Sequence, residues 1–160
     1  MRVWDLAANK VSREIASPTE TPARVVDVAP DAGSFLVGDN AGDLVVYSTD
    51  ATVTSPLRRA KVHSSYILSA CFAPDGNSIA TTSADCTAKL WAVSDLSLSK
   101  TLDGHTGWVW DCVFSADSAY LVTASSDHSL RLWDLSKNET IRHYTGHHKS
   151  VICVALNDVA

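Results

Sequence analysis

A repeat of close to 42 residues constrains this chain more than any other feature. His63, His105 and His147 lie 42 and 42 residues apart, while Trp4, Tyr47, Trp91 and Trp133 follow one another at 43, 44 and 42. Two independent landmarks that keep one period imply stacked copies of a single supersecondary unit, and internal repeats of this length decide the fold before any local reading does.

Within the period the grammar is that of short antiparallel strands. An apolar run, Trp108 to Phe114, leads to the turn Ser115-Ala116-Asp117-Ser118 and then to Tyr120–Ala124. After Ser125-Ser126-Asp127-His128 a third strand closes on Leu132-Trp133-Asp134, and Thr140–Tyr144 supplies a fourth. The preceding unit repeats this with Tyr66–Phe72, Ser78–Thr82, Ala88–Trp91 and Leu98–Leu102. Strands of this length, punctuated by Pro, Asp, Gly and Asn, are what a four-stranded blade requires. Gly104-His105 and Gly146-His147 at unit starts, with Trp4-Asp5 and Trp133-Asp134 at third-strand ends, resemble the WD-repeat β-propeller. The expected fold is therefore all-β: a partial ring of about 3.75 four-stranded antiparallel blades. Residues 1–16 supply strands three and four of one blade, 20–60 a degenerate blade, 61–103 and 104–145 two regular blades, and 146–160 the first strand of a closing blade. The mid-strand start reads as truncation, with about three further blades expected upstream, and unpaired apolar edges are expected at both ends.

The WD motif implies a buried hydrogen-bond network in each intact blade. His63, Thr81, Asp85 and Trp91 would form one; His105, Thr123, Asp127 and Trp133 the other. An aspartate, an imidazole, a hydroxyl and an indole N–H leave few buried polar groups unpaired. Residues 20–60 lack this set, having Tyr47 for the tryptophan and Ala41 for the aspartate. That blade should rest on apolar packing of Val26, Val28, Leu36, Leu44 and Val46.

Two segments are more specific. Gly107-Trp108-Val109-Trp110-Asp111-Cys112-Val113-Phe114-Ser115 and the ending Gly146-His147-His148-Lys149-Ser150-Val151-Ile152-Cys153-Val154-Ala155-Leu156 resemble the G-protein β-subunit-like WD-repeat subunit of the target-of-rapamycin (TOR) kinase complexes, the Lst-eight family. The resemblance is strong from about residue 63 onward. It implies a seven-bladed, non-enzymatic scaffold that binds and steadies the TOR kinase domain beside other complex subunits, supporting growth signalling and actin organisation. It also implies a cytoplasmic protein, peripheral at vacuolar, lysosomal or other endomembranes through the complex. Another cytosolic WD-repeat adaptor (ribosome-associated, kinase-anchoring or a ubiquitin-ligase substrate receptor) is the alternative, since propellers host many functions.

Trp108 and Trp110, two apart and so on one face of a strand, are read as partner-binding anchors, with Tyr66 at the matching place one repeat earlier. Inter-blade core is the competing reading. A net charge of −5 without a basic cluster argues against nucleic acid, and no apolar run is long enough for membrane insertion. The four cysteines show no C-x-x-C spacing, so a metal site is not expected and reduced, buried thiols are. His105 and Asp127 with Thr123 or Ser125 have the outline of a hydrolytic triad, yet the same trio recurs at His63, Asp85 and Thr81, as structural networks do and catalytic sites seldom do. No enzyme activity, cofactor or small-molecule substrate is expected.

Overall fold

The computed structural model describes residues 1–16 and 20–157. β1 (Arg2–Asp5) and β2 (Lys10–Glu14) pair as an antiparallel ribbon. Three four-stranded antiparallel sheets follow, each laid down in chain order. The first holds β3 (Ala23–Val28), β4 (Ser34–Asp39), β5 (Asp43–Ser48) and β6 (Arg58–Lys61). The second holds β7 (Ile67–Phe72), β8 (Ser78–Ser83), β9 (Ala88–Ala92) and β10 (Leu98–Leu102). The third holds β11 (Val109–Phe114), β12 (Tyr120–Ser125), β13 (Leu130–Asp134) and β14 (Glu139–Tyr144).

The turns explain why the strands stop where they do. Between the first two strands of each sheet an aspartate closes the loop on itself: Asp31 accepts from Gly33 N at 2.8 Å, Asp75 from Asn77 N at 2.9 Å and Asp117 from Ala119 N at 3.0 Å. Between the second and third strands one residue must take a left-handed conformation. Gly42 does so at φ 87°, and Cys86 and His128 at φ 70° each, so these two side chains are turn positions before they are anything else.

Both faces of the middle sheet are covered, because successive sheets stack through β3, β7 and β11. Leu36, Leu44 and Val46 pack against Ile67, Phe72, Ile79 and Trp91 in one seam. Ala80, Ala88 and Leu90 pack against Cys112, Phe114, Leu121 and Trp133 in the next. Each closing aromatic faces the preceding sheet, and Tyr47 follows the rule by stacking on Phe35 next to Ile15.

The structure corrects two sequence expectations. Val26 and Val28 do not hold the first sheet together: they are 61% and 55% exposed, whereas Leu36, Leu44 and Val46 are fully buried. The valines sit on the face that looks back toward β1 and β2, a two-stranded ribbon too narrow to cover it. A cleft of about 320 Å³ remains there, lined by Val3, Val26, Val28 and Phe35. The second correction concerns Val151–Leu156, which forms no strand. A strand needs a ladder partner, and this segment is instead hung from the third sheet by Val151 N to Ser125 O at 3.0 Å and Val154 N to Asp111 Oδ2 at 2.9 Å.

Candidate functional site

The two histidine quartets have nearly superimposable geometry. In the second sheet His63 Nδ1 lies 2.9 Å from Asp85 Oδ2, His63 Nε2 lies 2.8 Å from Thr81 Oγ1, and Trp91 Nε1 donates to the same hydroxyl at 2.8 Å. In the third sheet the corresponding distances are 2.7 Å for His105–Asp127, 2.8 Å for His105–Thr123 and 2.9 Å for Trp133–Thr123. Donor chemistry fixes the direction of the chain. A carboxylate only accepts, so Nδ1 carries the proton, Nε2 accepts from the threonine hydroxyl, and the hydroxyl accepts from the indole N–H.

Electrostatics agree with that assignment. Burial lowers the pKa of His63 and His105 below 6.5, against the opposing pull of the facing carboxylates, so both rings are neutral at pH 7. Burial works against charge on the aspartates too, but hydrogen bonds win. Thr87 and His63 hold Asp85 at about 2, and Ser129 and His105 hold Asp127 at about 2. Thr87 and Ser129 were not singled out from the sequence, although the spacing Ser83-x-Asp85-x-Thr87 and Ser125-x-Asp127-x-Ser129 carried the signal. The flanking serines accept from Asp85 N and Asp127 N at 3.1 Å each, and Thr87 and Ser129 donate to the carboxylates at 2.7 and 2.6 Å.

An Asp–His–Thr relay has the outline of an activated nucleophile, but its surroundings oppose that use. Thr81 and Thr123 have no exposed surface, and their hydroxyl oxygens already accept from an indole. No substrate carbonyl can approach such an oxygen. What the arrangement does is tie the segment leading into each sheet to the turn between that sheet's second and third strands. The first sheet does this differently. Asp39, at the place of Ser83 and 4% exposed, accepts from Ala41 N at 2.8 Å, Asp43 N at 2.9 Å and the Thr21 hydroxyl at 2.5 Å. A carboxylate has thus replaced the serine hydroxyl of that turn, while Val37 and Tyr47 stand where the quartet has threonine and tryptophan.

The three aromatic residues fall at one edge of the sheets, where β7 and β11 begin. Tyr66 is 46% exposed and Trp108 43% exposed. The expectation that Trp108 and Trp110 share one face of a strand needs correction. Trp108 precedes β11, and Trp110 is the unpaired residue of a β-bulge between Val109, opposite Ser125, and Asp111, opposite Ala124. The bulge turns Trp110 so that its ring still meets Trp108, with centroids 5.5 Å apart and planes inclined at 52°. Trp110 Nε1 donates to Ser126 Oγ at 2.6 Å. The backbone is anchored in the same way just ahead of β7 and of β11: Ala84 N donates to Tyr66 O at 3.1 Å and Ser126 N to Trp108 O at 2.9 Å. The backbone is therefore fixed next to each histidine quartet, with the Tyr66 and Trp108 side chains exposed and Trp110 half-buried. Among the described residues no group of three His, Cys, Asp or Glu is placed to hold a metal ion, and no helix is long and apolar enough to cross a membrane.

Four-stranded sheets stacked through their first strands, with a His–Thr–Trp–Asp quartet in each regular unit, define a WD-repeat β-propeller segment. The WD domain, G-beta repeat family matches residues 54–92 and 96–134, and this chain belongs to the WD-repeat proteins. Two solved structures share the architecture, described as "Structure of U3-55K" and "Crystal structure of RRP9 WD40 repeats". Both have a TM-score of 0.81 over 88% of this chain and cover 44% and 43% of theirs; at 18% and 19% identity they speak for the fold alone. Sequence relatives are more specific. The chain is 44% identical to target of rapamycin complex subunit wat1 of Schizosaccharomyces pombe over 99% of its length. It is 45% identical to target of rapamycin complex subunit LST8 of Saccharomyces cerevisiae over 96%, and 38% identical to the Mus musculus subunit of that name over 99%. It spans about half of each, 52% of their length.

Proposed function

We propose that this chain is part of a non-catalytic scaffold subunit of TOR kinase complexes, and that it holds the kinase domain through the rim of Tyr66, Trp108 and Trp110. The observation that carries the reading is alignment of nearly the whole chain, at 44% and 45% identity, with proteins named as subunits of those complexes. The rim supports the second half of it. Aromatic side chains held by a fixed backbone lose little entropy on binding and are the usual anchors of an interface. Growth signalling, actin organisation and a cytoplasmic, endomembrane-associated setting belong to the same proposal.

Co-purification of the protein with the TOR kinase domain, with and without Trp108→Ala, tests it. An anchor lost at an interface centre costs about 2 kcal/mol or more, or about 30-fold in Kd. Among the described residues Trp108 makes no side-chain hydrogen bond that its removal would orphan, so circular dichroism should be unchanged. Trp110→Ala additionally removes the Ser126 bond and is the less clean variant. A folded protein that fails to bind the kinase domain overturns the assignment; equal binding by the variant moves the contact elsewhere.

A further inference from the structure

The seam between β7 and β11 holds two thiols in contact. Cys71 Sγ lies 3.7 Å from Cys112 Sγ and 3.8 Å from Cys112 O. Cys71 is half-buried and Cys112 buried, and both are free. The two residues belong to different sheets and point at one another across the stack. One seam earlier, the place of Cys71 is taken by Asp27, whose carboxylate crosses to accept from Phe72 N at 2.8 Å. Where β3 reaches the next sheet with a carboxylate, β7 reaches it with a sulfur.

The thiols are also held in position from both sides. Toward the starts of the strands Ser69 Oγ donates to Asp111 Oδ1 at 2.9 Å, and beyond their ends Asp75 N donates to Ser118 Oγ at 3.1 Å. Bonds across the seam on either side fix the relative position of the two strands. Joining them takes the sulfurs from 3.7 Å to the ~2.05 Å of a disulfide.

We infer that Cys71 and Cys112 are an oxidative modification site, a dithiol that hydrogen peroxide converts into a disulfide joining two adjacent blades. The half-buried Cys71 reacts first: its sulfur takes one peroxide oxygen to become a sulfenic acid, and water leaves. The Cys112 sulfur then attacks the Cys71 sulfur, the S–O bond breaks, and the hydroxyl departs as a second water with the Cys112 proton. Two thiols and one peroxide give one disulfide and two waters. The Cys71 thiol it faces, and then burial, push the Cys112 pKa up, which makes the second step the slow one and leaves the sulfenic acid trappable. A thiol reductant reverses the product. The loop it closes is long enough for the cross-link to raise Tm by about 5–10 °C.

Peptide mapping without reduction tests the inference on the unmodified chain, so no variant need fold. The folded protein is treated with peroxide, blocked with N-ethylmaleimide and digested. The expected product is a peptide pair joined through Cys71 and Cys112, two hydrogens lighter, absent after reduction, and lost as the preferred pair when oxidation is done in urea. The inference is overturned if Cys71 runs on to the sulfinic acid while Cys112 is recovered alkylated. It is equally overturned if peroxide in folded protein links either residue to Cys86 or Cys153 instead.

Discussion

Replacing Thr81 by valine isolates the quartet, because the side chain keeps its shape and loses only the hydroxyl. That oxygen has two partners, Trp91 Nε1 and His63 Nε2, both at 2.8 Å, and neither has another route to water: Thr81 is fully buried, His63 2% exposed and Trp91 6% exposed. Each orphaned group costs about 1–3 kcal/mol, so the variant should lose roughly 2–6 kcal/mol in all. With a urea m-value of roughly 2 kcal/mol/M, the unfolding midpoint read by tryptophan fluorescence falls by about 1–3 M. Thr81→Ser is the control. It keeps the hydroxyl and gives up one methyl, a loss of about 1 kcal/mol. If the valine variant proved no less stable than the serine variant, the hydroxyl would not be the hub of the network. Thr123→Val should behave alike, since its partners lie at 2.8 and 2.9 Å.

Acid should weaken the fold in two stages, measurable as urea midpoints across pH. His63 and His105 have folded pKa values below the 6.5 of the unfolded chain, so unfolding takes up protons and stability falls from about pH 6.5 downward. Asp85 and Asp127 titrate at about 2 in the fold against 3.8 unfolded; each contributes about 2 kcal/mol above pH 4 that is lost as pH drops toward 2. Gly42→Ala should cost about 3 kcal/mol or more, because φ is 87° and the new methyl would meet the His63 and Ser65 carbonyl oxygens; amide exchange should rise across β3–β7. Val26→Lys should cost under about 0.5 kcal/mol in urea unfolding, whereas Ala70→Lys, at the equivalent but buried place, should unfold the chain. Arg13→Met removes guanidinium bonds to the Ser48, Asp50 and Val53 carbonyls, and should raise amide exchange in β1 and β2 while leaving β7–β14 unchanged.

The architecture was legible because the period was. Strand count, order and turn placement follow from the 42-residue repeat, and alternation within each strand says which residues share a face. Alternation does not say what lies against that face. Val26 and Val28 alternate as buried residues do, and their equivalents Ala70 and Phe72 are 4% and 7% exposed. The difference is the neighbour: a four-stranded sheet stacks on Ala70 and Phe72, and only the β1–β2 ribbon stands near Val26 and Val28. Val151–Leu156 makes the same point for pairing. Its residues suit a strand, but a strand is a property of two segments, and among the described residues no second one pairs with it in a ladder.

The rim shows where local sequence loses sight of geometry. Trp108-Val109-Trp110 spells two aromatics on one face, but the bulge at Trp110 breaks that parity. Ile67/Ser69 and Ala23/Val25 mark the same irregularity in the other two sheets, with Leu68 and Arg24 as the extra residues, so the bulge belongs to the blade rather than to tryptophan. What the repeat preserves at this place is the backbone bond from the turn, Ala84 N to Tyr66 O and Ser126 N to Trp108 O. Since the main chain does the structural task there, the side chain is left open to vary. Position 66 carries tyrosine, position 108 tryptophan and position 150 serine. A site whose backbone is fixed by the fold and whose side chain is not is where a repeat protein can acquire a partner without disturbing its blades.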